Sequence, residues 1–471
     1  MSQFHFLDWV ILSAYSIGLI WIGIFRLKDQ STSQEDFILS GRRLSLGGFV
    51  ATLVTTWYGA ILGVGENTFF YGIQTWFIFA LPYYGFALGY AFWIAPKIRE
   101  KNFLSIPDHF RFHYGETAGI ISALLITFLA SPAPYILSMG ILLQFLFGIN
   151  LGSALLISTI FSVIYVWNGG FSAVVKTDIL QFILMFIGFF LLIGFSWNEF
   201  GSPAVLIKSI PETHLDPLGG NTVQYILVWF FIAAWTFIDP GFYQRCAAAK
   251  SPEIAKKGLL ISIGFWTVFD CLTVLSGLYA VAMIQTDQPL HSFPLLGAHI
   301  LPIGIFGLFI TGLLATIMST IDSLSLISAI TFGRDILWRI QRPRMDSNPI
   351  PLVRKGLVII SFLSLFLAFA VPSVVGLFYV IGSVLIPGLI LPFVFTLWNE
   401  KISLSERLAN QWIITPVVVS LGWFGISQLS GESFMGIEPF YPGMVVSILF
   451  GLYIINSIAT KFTKKVKKNE A

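Results

Sequence analysis

The feature that most constrains this chain is a rhythm of apolar blocks. They recur along all 471 residues, each about 20 residues long, the length a helix needs to cross a hydrocarbon core of ~30 Å. Charge is correspondingly scarce. Charged residues make up 11% of the chain and hydrophobic residues 56%, against roughly 25% charged in a soluble domain. So few charges cannot cover a water-facing surface, and the mean hydropathy of +0.82 agrees. The class implied is an all-α polytopic membrane protein.

Thirteen candidate spans follow, at 7–26, 46–72, 74–95, 117–139, 151–168, 178–197, 222–240, 257–284, 303–331, 354–371, 374–398, 411–428 and 441–459. The first is too long for a signal-peptide core and lacks a basic start, so it is expected to span. Gly72 and Val371-Pro372-Ser373 leave room only for tight hairpins. With the N-terminus outside, the inner loops hold Arg26, Lys28, Arg42, Arg43, Lys97, Arg99, Lys101, Arg111, Lys176, Arg245, Lys250, Lys256 and Lys257. They also hold Arg334, Arg339, Arg342, Arg344, Arg354, Lys355, Lys401, Arg407 and the tail lysines 461, 464, 465, 467 and 468. That is 26 of the 27 Lys and Arg, with only Lys208 outside, the asymmetry expected when basic residues stay cytoplasmic. The basic tail, 460–471, is then a solvated flank beside lipid rather than a nucleic-acid patch.

Several function classes drop out. The two cysteines, Cys246 and Cys271, form no CxxC pair, which argues against disulfides and structural zinc. His109 and His113, beside Arg111, are the only close histidines and are expected in a polar loop. No HExxH or GxSxG motif occurs, so a membrane-embedded enzyme is disfavoured. The longest loops, about 20–25 residues, are too short for a signalling domain of typical size.

Two spans look interrupted. Span two runs Val50-Ala-Thr-Leu-Val-Thr-Thr-Trp-Tyr-Gly59-Ala-Ile-Leu-Gly63-Val-Gly65-Glu66. Small residues there serve either close helix packing or an unwound middle near Thr55 to Gly59. Glu66 favours the unwound middle, because an intramembrane carboxylate is costly and usually serves a pathway. Span seven carries Asp239-Pro240-Gly241, which either breaks the helix or ends it. Irregular backbone at membrane depth is tolerated only where it is buried or lines a cavity. Spans two and seven lie five apart, so two inverted five-helix repeats, 46–197 and 222–398, would each begin with an irregular helix. Helix 7–26 and helices 411–459 would flank them, all within one transporter domain, 1–471.

Span nine clusters oxygens. Helical spacing puts Thr316, Ser319, Thr320 and Ser323 on one face, with Asp322 beside it. Hydroxyls back-bonding to their own helix are the plain reading. Asp322 tips the balance toward a cation, since a bare carboxylate at mid-membrane needs one or a proton. Asp178 at the start of span six and Asp270 within span eight are further intramembrane acids. The first is open to a helix-dipole explanation. The second is a candidate hydroxyl partner or protonatable group.

Four stretches then resemble the sodium–solute symporter family, which shares the leucine-transporter-like inverted-repeat fold. They are Glu35–Arg43, Gly169–Gln181, Tyr243–Ser251 and Ala315–Ser323. The resemblance implies a sodium-coupled symporter of a small organic solute, with no cofactor and sodium as its only metal. It implies a sodium site of the Leu53 and Thr56 carbonyls, the Thr316 carbonyl, and the Ser319 and Thr320 hydroxyls. A second ion site would use Asp178, Ser319 and Ser323, with Asp322 where relatives often have serine. Asp322 there strengthens that site or binds a proton, and a proton-coupled transporter using Asp322 or Asp270 is the rival reading. The solute pocket maps to Trp57, Tyr58, Ala60, Phe79, Tyr83, Trp235 and Thr236. Sugar-binding relatives carry Gln, Glu and Asn at several such positions. Here an apolar, aromatic set implies a compact, partly apolar solute, with any carboxylate held by a half-helix N-terminus.

Overall fold

The computed structural model describes residues 4–25, 33–341, 348–398, 404–431 and 433–470. Arg26, Lys28, Arg342, Arg344 and Lys401 lie outside them, as do the side chains of the tail lysines. The described residues are overwhelmingly helical. Among the described residues ten helices are long and apolar enough to cross a membrane, one pair bent at a short break is so only when taken together, and two shorter apolar helices, Phe6–Leu19 and Leu151–Ile164, accompany them.

Span nine is the centre. Helix Ile305–Ile330 is buried at every residue except Ile305 and Leu308. It packs most extensively against Leu151–Phe200, which covers spans five and six. Such a helix meets protein on all sides, so its polar residues must look for partners on their own backbone or in neighbouring helices. Its N-terminus is capped from the start of the chain. Asp8, 1% exposed, accepts from the amides of Gly304 at 2.7 Å and Gly307 at 2.8 Å, which answers two of a helix's four orphan N–H groups.

Several predicted boundaries move. Span seven does not end at 240: Val223–Ile232 passes into a 3₁₀ segment, Ala233–Ile238, breaks at Asp239 and resumes as Pro240–Ala248. Every residue of that last helix is buried, Gln244 and Arg245 included, so its polar composition hid a buried segment. Span six starts at Gly170, whose φ of 54° and ψ of −165° turn the chain out of the preceding helix. Asp178 therefore stands two turns inside span six. Span four extends to Phe147 across a break at Ala130-Ser131-Pro132, where Pro132 and Pro134 withhold backbone donors. Span nine continues past 331 through a π-helical turn, Thr331–Trp338.

His109 and His113 sit on a short helix, Ile106–Tyr114, not in a loop. That helix is a buried charge hub. Asp108 meets Arg111 at 3.2 Å, Arg334 at 2.9 Å and Arg339 at 3.6 Å. Arg334, assigned to an inner loop by the charge count, is 4% exposed. The Asp108 carboxyl is pulled in two directions: burial raises its pKa, and the three arginines outweigh that and hold it below the ordinary carboxylate range.

Candidate functional site

Span two breaks as its small residues suggested. Leu46–Trp57 and Ile61–Tyr71 meet at 53°, with Tyr58 to Ala60 between them. The helix stops at Trp57, so the Thr56 carbonyl loses the partner a continuous helix would supply. The hydroxyl of Thr320 takes that place, donating to Thr56 O at 2.9 Å, with Thr55 O at 3.5 Å and Thr316 O at 3.4 Å. Gly59 permits the approach. A Cβ there would overlap the Thr320 side chain and the Tyr135 ring.

The predicted sodium ligands thus fall largely in one place. Thr56, Thr316 and Thr320 converge directly. Ser319, one position back, donates to Asp178 Oδ1 at 2.6 Å. Leu53 lies in the regular part of its helix, 3% exposed, and lines the adjoining cavity. The Thr316 hydroxyl back-bonds to Gly312 O at 2.7 Å, leaving its carbonyl as the atom turned to Thr320. Neutral hydroxyls and main-chain carbonyls suit a hard monovalent cation, which prefers oxygen and needs no trapping charge.

The second predicted set divides. Asp178 is fully buried, and its two oxygens accept from Ser319 and Thr52. Ser323 lies near Thr56, with their hydroxyls 3.1 Å apart, and accepts from Arg245 at 2.7 Å. Asp322 is 1% exposed, its carboxylate oxygens have no hydrogen-bond partner among the described residues, and it lies within electrostatic reach of Asp178 and Tyr15.

Arg245 is the group the sequence reading misplaced. Counted as a loop cation, it is fully buried. One guanidinium nitrogen, Nη2, donates to Thr52 at 3.0 Å, Thr56 at 2.8 Å and Ser323 at 2.7 Å, with Asp178 at 4.0 Å. It ties the resumed half of span seven to spans two and nine. The signal available in sequence was Asp239-Pro240-Gly241 followed by a helix-compatible stretch, which marks an internal break as readily as an end.

Beside this oxygen cluster lies a cavity lined by all seven predicted pocket residues. Trp57, Ala60, Phe79, Tyr83 and Trp235 are partly exposed to it, whereas Tyr58 and Thr236 are nearly closed off, at 4% and 1%. Tyr58 is mainly structural, donating to Trp266 O at 3.2 Å. Trp57 is a hub, its ring 4.8 Å from Tyr83, 5.4 Å from Trp266 and 5.8 Å from Phe242. Sequence reasoning missed Trp76, Tyr135, Trp229 and Phe378 in the lining, and missed that Asp239 and Asp270 reach it. Glu66, half-buried beyond the break, is not in the lining.

Comparison with known proteins identifies the family and the fold. The pattern of the sodium:solute symporter family matches residues 37–413. The chain is 26% identical to the osmoregulated proline transporter OpuE of Bacillus subtilis, covering 96% of this chain and 94% of that one. It is 23% identical to the high-affinity choline transporter 1 of Drosophila melanogaster, over 90% and 70% of the two chains. The solved structure of a Na+-coupled sialic acid symporter in a substrate-bound outward-open state shares the fold, with a TM-score of 0.76 at 16% identity over 95% of this chain and 98% of that one. These relatives are transporters, not enzymes, and the family couples transport to sodium. With its many apolar helices, this chain is a multi-pass membrane protein, and it belongs to the sodium:solute symporter family.

Proposed function

We propose that the chain carries one compact organic solute across a membrane with sodium bound between the break of span two and the hydroxyls of span nine. The observation that supports it best is the Thr320 hydroxyl 2.9 Å from the Thr56 carbonyl at a helix break beside a solute-sized aromatic cavity. Sodium there would join the Leu53, Thr56 and Thr316 carbonyls to the Ser319 and Thr320 hydroxyls, holding the two spans together and ordering the cavity wall formed by Trp57 and Tyr58. Binding to one face, rocking of the helices and release to the other constitute alternating access. An ion shifts that equilibrium only by its differential affinity for the two states.

The finer architecture belongs to this reading. Thirteen spans come from the ten long helices, the bent pair and the two shorter apolar helices. The repeats are 46–197 and 222–398, within one transporter domain that keeps helix 7–26, helices 411–459 and tail 460–471 as additions. The N-terminus lies outside and the C-terminus in the cytoplasm, by the distribution of Lys and Arg. Relatives named for proline and choline transport support a compact solute at Trp57, Tyr58, Ala60, Phe79, Tyr83, Trp235 and Thr236.

One observation favours a second cation. Both oxygens of buried Asp322 lack partners among the described residues, and a sodium ion or a proton shared with Asp178, Ser319 and Ser323 would satisfy them. The deciding experiment is flux into proteoliposomes driven by a sodium gradient or by a pH gradient. Sodium-driven uptake that collapses in Ser319→Ala/Thr320→Ala, while the protein stays folded, is the expected result. Undiminished uptake in that variant removes the sodium site. Uptake driven by the pH gradient without sodium selects proton coupling through Asp322 or Asp270.

A further inference from the structure

The charge inventory of the cavity narrows the solute further, and it rests on the transport reading above. Two carboxylates face the space, Asp239 from the break in span seven and Asp270 from span eight. Asp239 accepts from the Phe242 amide at 2.8 Å. Asp270 accepts from the Tyr84 hydroxyl. Asp270 forms no ion pair with a Lys, Arg or His among the described residues, and Asp239, though within electrostatic reach of Arg245, lies beyond ion-pair distance of it. A carboxylate at this depth is costly without a cation to answer it.

Among the described residues one basic side chain lines the cavity, Arg245, and its two terminal nitrogens are engaged. Its Nη2 serves Thr52, Thr56 and Ser323, and its Nη1 is 3.4 Å from Gly241 O. Its Nε is buried without a hydrogen-bond partner among the described residues. The half-helix N-terminus expected to receive a solute carboxylate is occupied too. Pro240 has no N–H to offer, and the Phe242 amide is taken by Asp239. Among the described residues, the terminal nitrogens of the guanidinium and the half-helix N-terminus are thus engaged within the protein, while Asp270 has no basic partner.

The walls favour the same charge. Trp57 and Tyr83 stand edge to face at 4.8 Å, and Trp235 lies 6.4 Å from Phe378; all four are partly exposed to the cavity. Ring faces attract organic cations, with Trp the strongest of the three aromatics. Two polar groups in the lining, Trp235 Nε1 and Thr236 Oγ1, are buried without hydrogen-bond partners among the described residues. The indole is a donor only and the hydroxyl can donate, so they fit a solute oxygen. We infer that the transported solute is a substituted ammonium compound bearing an oxygen acceptor, with Asp239 and Asp270 balancing its charge.

The test uses paired probes that differ in the charged nitrogen alone. They are trimethylglycine against 3,3-dimethylbutanoate, choline against 3,3-dimethylbutan-1-ol, and proline against cyclopentanecarboxylate. Binding to the full-length protein is read in sodium, by tryptophan fluorescence and by thermal protection. At least one ammonium probe should bind about tenfold or more tighter than its carbon analogue, a difference of ~1.4 kcal/mol. Asp239→Asn keeps the side-chain acceptor at the helix start and should remove most of that preference; Asp270→Asn provides the same reading away from the helix cap. Thermal protection by sodium alone shows that each variant is folded, and its loss in the wild type would count against the sodium site rather than against this inference. Equal binding within every pair, or protection by the carbon analogues only, overturns it. So does an ammonium preference that survives both substitutions.

Discussion

Replacing Thr320 with valine removes one oxygen and little else. The side chain is fully buried, and valine has nearly the same shape, so no cavity opens. Two costs follow. The Thr56 carbonyl loses the donor 2.9 Å away and stays buried, which costs about 1–3 kcal/mol of stability. Sodium loses a ligand. If that is worth what a hydrogen bond to a charged group is worth, ~1.5–3 kcal/mol, then at ~1.4 kcal/mol per decade sodium should bind about 10- to 150-fold more weakly. The assay is the sodium dependence of uptake, with potassium as the replacement ion, alongside thermal shift against sodium. The first cost appears as a lower Tm without sodium. The second appears as a titration displaced to higher sodium. Thr320→Ser keeps the oxygen and should stay close to wild type. A valine variant that folds and titrates within about twofold of wild type would show that no ion is held at this hydroxyl.

Gly59→Ala places a methyl group against Thr320 and Tyr135 without deleting any oxygen; overpacking of this kind costs roughly 1–3 kcal/mol, and transport should fall with sodium affinity, whereas a fully active variant would mean the break does not press on span nine. His109 is held neutral, its pKa pushed down to about 3 by burial, with the Lys101 and His113 charges adding to that and Asp108 opposing it. Since the unfolded chain takes up this proton near pH 6.5, the stability is complete above that pH and drains as pH falls toward 3, at up to ~1.4 kcal/mol per unit; His109→Gln should flatten the Tm–pH curve in this window, and an unchanged slope would place the acid sensitivity elsewhere.

The apolar rhythm made the helices legible because each must satisfy its backbone within itself in lipid. The break of span two was legible for the same reason: three glycines and three threonines around Trp57 and Tyr58 are poor material for a continuous lipid-facing helix. Span nine showed its hydroxyl face through spacing alone. What sequence concealed was burial of charge. Arg245 and Arg334 counted as loop cations because partners such as Thr52, Thr56 and Ser323, or Asp108, lie more than 70 positions away, and the neighbouring Asp335 that also pairs with Arg334 says nothing of burial. The capping of span seven's second half by Asp239 was equally hidden. Asp-Pro-Gly fixes a turn, but whether the turn lies at the membrane edge or in its middle depends on what packs around it.

The cap that Asp8 places on span nine has a mechanical consequence. A helix can slide along its axis only if its end contacts give way, and this end is clamped by a carboxylate almost 300 residues earlier in the chain. Any axial displacement of span nine relative to span one has to break these two hydrogen bonds. The height of Thr320 opposite the Thr56 carbonyl is set from the first turn of the protein. A slip of one helical turn, about 5.4 Å, would carry the hydroxyl past its partner altogether. The extra N-terminal helix thus acts as an axial stop for the row of oxygens on span nine.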